Sequence, residues 1–80
     1  VKRALIVKDP KAKIRVFSTH IEVVTFYEKQ YVGFLHIKAI YLNKNISLFI
    51  SDALKLSEQF PLYFIDSRGT ILAKISRSKR

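Results

Sequence analysis

Apolar and polar residues along the chain alternate in short runs broken by polar turns, a rhythm that predicts strands rather than long helices. Arg3 to Lys8 opens with a brief apolar run, stopped by the turn pair Asp9-Pro10. Ile14 to Phe17 reads as a second strand, and Ser18-Thr19-His20 as a bend. Ile21 to Tyr27 is rich in β-branched and aromatic residues and is expected to be extended throughout, with apolar groups on both faces. Glu28-Lys29-Gln30 is the expected hairpin tip. Val32 to Leu35 and Lys38 to Leu42 then carry the chain back, with Gly33 expected to mark a bulge or a close backbone approach. Asn43-Lys44-Asn45 has the composition of a tight turn, since Asn tolerates left-handed dihedrals.

After that turn the period lengthens. Residues 51–59, SDALKLSEQ, predict one short helix, with Ser51 as its N-cap and Asp52 against the positive end of its dipole. Spacing by three and four places Ile50, Ala53, Leu54 and Ser57 on the face to be buried. Pro61 ends the helix, because the residue before a proline is pushed out of helical dihedrals. Leu62 to Ile65 and Thr70 to Ile75 form a last hairpin whose Gly69 is expected at positive φ. The predicted class is mainly β (α+β): a small antiparallel β-sheet or sandwich domain with one short helix near residues 51–59 laid against it.

Size and charge narrow the picture. Eighty residues make one domain, with a thin core that benefits from a partner surface. No run approaches the ~18 apolar residues of a membrane span and no signal-peptide segment opens the chain, which suits a cytoplasmic protein without a membrane partner. There is no cysteine, hence no disulfide and no thiolate metal site. Fifteen Lys and Arg against six Asp and Glu give a net charge of +9, a balance that attracts polyanions or simply maintains solubility.

Catalytic chemistry is not written into the spacing. With only Gly33 and Gly69, neither a P-loop nor a dinucleotide fingerprint is possible. His20 and His36 have no second ligand at metal spacing, and the six carboxylates fall in turns, on strand faces and on the helix. No catalytic and no metal-binding residue is assigned. Lys38, Lys44, Arg68 and Lys74 lie at or near strand ends, where long side chains could meet phosphates or merely form a solvated rim. Tyr27, Tyr31 and Tyr41 could stack on bases or pack in a core or subunit interface.

The stretch YVGFLHIKAIYLNKNISLFISDALKLSEQFPLYFIDSRGTILAKI resembles the N-terminal domain of the CRISPR spacer-acquisition endonuclease/integrase, the Cas-one family. The resemblance is carried in order by Leu35, Ile37 and Ile40, then Ser51, Ala53-Leu54, Pro61, Tyr63-Phe64 and Gly69. It covers the last 50 or so residues well and the first 30 in outline. The chain departs from the pattern at Gln59, where the family commonly has glycine, and in a helix about one residue shorter.

The resemblance implies a β-rich domain over residues 1–76 that joins protomers into a homodimer and supports double-stranded DNA, within a prokaryotic, cytoplasmic antiviral system that captures and inserts new spacers. It also implies an adaptation partner of the Cas-two family. A divalent metal, Mg or Mn, would serve a following helical catalytic domain, to which residues 77–80 would begin the linker; no cofactor is expected within these 80 residues. Whether the chain counts as an enzyme is left open, since the full-length family is a metal-dependent endonuclease/integrase. Two other readings stand beside it: a free-standing small basic nucleic-acid-binding β domain, and a purely structural interaction module.

Overall fold

The computed structural model describes residues 1–75; the basic tail Arg77, Lys79 and Arg80, and with it the expected linker, lies outside the described residues. Among the described residues seven strands form: β1 (Arg3–Val7), β2 (Lys13–Val16), β3 (His20–Val24), β4 (Lys29–Gly33), β5 (Ile37–Asn43), β6 (Leu62–Ile65) and β7 (Ile71–Ile75). One helix, α1 (Ile50–Gln59), separates β5 from β6, and a single 3-10 turn, Phe34–His36, precedes β5.

The strands make two sheets. β2, β3 and β4 form an antiparallel meander, while β1, β5, β6 and β7 pair in that order. The class is mainly β with one helix, as expected, yet the larger sheet is mixed: β1 and β6 both run parallel to β5, and only β7 is antiparallel to its neighbour. Adjacent parallel strands need a crossover, which α1 supplies between β5 and β6 and the whole meander supplies between β1 and β5.

Both sheets and the helix feed one core. Val7, Ile40, Leu42 and Leu62 come from the larger sheet, Ile14, Ile21 and Val23 from the meander, and Leu56 from α1. Phe34 and Phe60 close its edge with ring centroids 5.4 Å apart in an edge-to-face arrangement.

Several local expectations change on contact with this packing. β3 ends at Val24 rather than running to Tyr27, because the Thr25 hydroxyl accepts the amides of Tyr27 and Glu28 and closes a turn there. The hairpin tip is therefore residues 25–28, and Lys29 and Gln30 belong to β4. Gly33 has φ −71° and ψ 146°, ordinary extended dihedrals, and a Cβ there would meet nothing nearer than 3.5 Å. It marks neither a bulge nor a tight approach. Leu35 lies in the 3-10 turn, not a strand.

Ser51 does not cap α1. The N-cap is Phe49, no side chain caps it, and Ser51 sits one residue inside the helix. The buried stripe is Ala53, Leu56, Ser57 and the following Phe60, whereas Ile50 and Leu54 remain 78% and 55% exposed. Asp52 does occupy the first turn, and α1 stops before Pro61 with Phe60 extended.

Gly69 takes φ 94°, as expected of that hairpin, whose turn is fastened by Asp66 Oδ1 accepting the Arg68 and Thr70 amides at 2.9 Å each. Asn43 works differently from the expectation. Among the described residues no non-glycine residue has positive φ. Instead the buried Asn43 side chain donates to the Lys8 carbonyl at 2.8 Å and to Ser67 Oγ at 3.3 Å, and accepts the Asn45 amide at 2.8 Å. One amide group thus ties the ends of β1, β5 and the β6–β7 turn.

Candidate nucleic-acid interface

The four cations singled out from the sequence do not gather in one place. Lys38 stands exposed at the start of β5 and Lys44 just past its end, roughly 20 Å away at strand spacing. Arg68 is exposed in the β6–β7 turn. Lys74 Nζ sits over the Tyr63 ring at 5.6 Å, while Lys44 lines a groove with Phe64 and Ile75, so the two lysines serve opposite faces of the larger sheet.

Tyr41 is spoken for. Its ring stacks on Tyr63 with centroids 4.6 Å apart and planes 8° from parallel. Register places Ile6, Tyr41, Tyr63 and Lys74 in a row across the outer face of the larger sheet, half apolar and only partly covered. On the other side, Ile46, Leu48, Ile50, Leu54 and Phe64 line a groove of about 350 Å3 between α1 and the sheet. At the tip of the β3–β4 hairpin, Phe26 and Tyr27 are each 90% exposed and pack edge-on against one another.

A tighter cluster of charge lies elsewhere, on the outer face of the meander. Register across the antiparallel strands sets Lys13, Val24 and Lys29 in one row and Arg15, Glu22 and Tyr31 in another on the same face. Glu22 is almost fully buried there. Arg15 Nη1 lies 3.3 Å from its Oε1, and Lys29 Nζ lies 3.7 Å from its Oε2. Among the described residues no hydrogen bond reaches Oε1. Beyond Arg15, whose guanidinium carbon is 5.4 Å from the Phe17 ring centre, Phe17 stacks on His20 at 4.7 Å and His20 meets the Tyr31 edge at 5.8 Å. The meander edge is joined by loop 44–49: Lys13 bridges to Ser47, and Phe49 lines a hollow of about 430 Å3 together with Lys13, Arg15, Glu22 and Lys29.

Sequence reasoning passed over this cluster. Its trace was visible as basic residues two apart in Lys13 and Arg15, but their union with Lys29 depends on the hairpin register. Among the described residues no group of three or more His, Cys, Asp or Glu could hold a metal ion, and no helix is long and apolar enough to cross a membrane.

No protein-family model matches the sequence, and no curated protein matches it. Solved structures do. Over 99% of its length the chain superposes on a chain of a structure described as a partial Cas6-RT-Cas1–Cas2 complex, with a TM-score of 0.78 at 14% identity, covering 24% of that chain. Over 92% it superposes on a CAS1 protein from Thermotoga maritima, with a TM-score of 0.74 at 13% identity, covering 25% of that chain. The chain thus spans about a quarter of the length of the structures it matches. Two sheets, one crossover helix and a closing hairpin give this chain the fold of the matching quarter of Cas1 proteins.

Proposed function

We propose that the chain is the N-terminal assembly domain of a CRISPR spacer-acquisition integrase, in which it joins two protomers and bears on duplex DNA. The observation that carries this reading is the fold match across 99% of the chain to part of a Cas1-containing assembly. Two surface features suit the role. The Ile6–Tyr41–Tyr63 row and the groove beside α1 offer apolar area that a second protomer or a following domain would cover. The net charge of +9 favours a polyanionic partner.

In this reading the metal-dependent cutting and joining, with Mg or Mn, belongs to a helical domain beyond these residues. A Cas2-type protein is the adaptation partner, and the setting is the prokaryotic cytoplasm. Lys38, Lys44, Arg68 and Lys74 would meet duplex phosphates separately, as scattered positioning contacts.

The test is hydrodynamic and electrostatic. Sedimentation of the chain should reveal a dimer at micromolar concentration, and duplex affinity should fall steeply with salt. Each of Lys38→Gln, Lys44→Gln, Arg68→Gln and Lys74→Gln should lower the logarithmic salt slope by about 0.9 if its cation meets a phosphate. A strict monomer that ignores duplex DNA at low salt would overturn the proposal. So would metal-dependent cleavage of DNA by the chain alone.

A further inference from the structure

The hollow on the outer face of the meander is built for a different ligand from the scattered duplex contacts. Glu22 is 5% exposed in its side chain, yet its two ion-pair partners, Arg15 and Lys29, are 64% and 52% exposed. A buried carboxylate with one oxygen lacking a hydrogen bond is a poor way to gain stability. What it does achieve is to pin two long, otherwise mobile cations side by side. Arginine carries five N–H donors and lysine three, so most of their donors still face outward. Lys13 adds a third cation with no acidic partner among the described residues, leaving two uncompensated positive charges around one hollow.

An aromatic ring completes it. Phe49 is 78% exposed, has no ring partner among the described residues, and lines the same hollow. Tyr31, 63% exposed, continues the face next to Glu22. Cations that take phosphate beside rings that take bases are the components of a single-strand site. A duplex keeps its bases stacked on one another and offers Phe49 no free π-face, whereas an unpaired strand does.

We propose that Lys13, Arg15 and Lys29 bind a backbone phosphate of single-stranded nucleic acid, that Phe49 stacks on an adjoining base, and that Glu22 is the positioning residue that holds Arg15 and Lys29 in place. The site reads no sequence, since stacking and phosphate contacts accept any base. It is independent of the dimer and duplex roles proposed above.

Fluorescence anisotropy with a short labelled oligothymidine and with a matched duplex, across a salt series, tests this on the full chain. Lys29→Gln should lower the salt slope for the single strand by about 0.7. Phe49→Ala should weaken the single strand about tenfold and leave the duplex unchanged. Glu22→Gln gives the sharpest outcome, because it raises the net charge by one yet should weaken single-strand binding several-fold. If Glu22→Gln binds unchanged or tighter with its amide spectrum intact, the positioning claim falls. If Phe49→Ala affects both ligands equally or neither, the single-strand site falls. Phe49 and Lys29 are exposed, so those variants decide the matter even if Glu22→Gln unfolds. A monomer without duplex affinity that retains these single-strand effects would sink the assembly reading and leave this one standing.

Discussion

Glu22 and Asn43 are two buried polar side chains with opposite economies. Glu22 has solvated partners, so replacing either Arg15 or Lys29 alone leaves the other cation in place, and each single alanine variant should cost under about 1 kcal/mol. Removing both strands a buried charge, and the double variant should lose about 3 kcal/mol, more than the singles combined. Urea unfolding of the two singles and the double checks this, and simple additivity would contradict it. Asn43 is satisfied on both its donor and acceptor sides. Asn43→Ala leaves the Lys8 carbonyl and the Asn45 amide without these partners at a half-buried junction, and should cost about 1 kcal/mol in the same assay. Neither role was legible from residue type. Asn43 reads as a turn former in sequence, and only the nearness of β1 and the β6–β7 turn gives its amide three partners.

Helix α1 shows how far an element can be read before its neighbours are known. Its existence, its acidic first turn and its end before Pro61 follow from helix formers and proline sterics. Its buried side does not. The stripes through residues 50, 53, 54 and 57 and through 53, 56, 57 and 60 share Ala53 and Ser57, and each carries a leucine. Packing of Leu56 into the core, at 0% exposure, decides between them. Leu56→Ala should therefore cost about 3 kcal/mol, while Leu54→Ala should stay within about 0.5 kcal/mol. Ser51→Ala should be equally mild, because its hydroxyl caps nothing. Thermal melts of the three variants would expose an error in either assignment. The β3–β4 hairpin taught the same lesson at its tip: β propensity continues through Phe26 and Tyr27, but the Thr25 hydroxyl turns the chain earlier. That three-residue difference places Lys29 in β4, opposite Val24, and so assembles the charged hollow.

For the whole molecule, sequence pattern identified the strands but not their directions. Alternation of apolar residues is the same in parallel and antiparallel neighbours, so the larger sheet's two parallel pairs had no sequence signature. Their arrangement sets a ranking of local stability. β5 is hydrogen-bonded on both edges and β3 is central to the meander, whereas among the described residues β4 and β7 each pair on one edge alone. Amide hydrogen exchange should be slowest around Ile40–Leu42 and Ile21–Val23 and faster along β7. Equal protection of β7 in dilute solution would reveal a partner on that edge.

Among the described residues β1 pairs with β5 alone, and that neighbour comes more than thirty residues later in the chain. As the polypeptide leaves a ribosome, the meander can zip by local turns within microseconds to milliseconds, while Arg3–Val7 must idle until Asn43 has emerged. The nascent protein therefore passes an interval with a greasy, cationic strand undocked, and that interval is when a chaperone would find it.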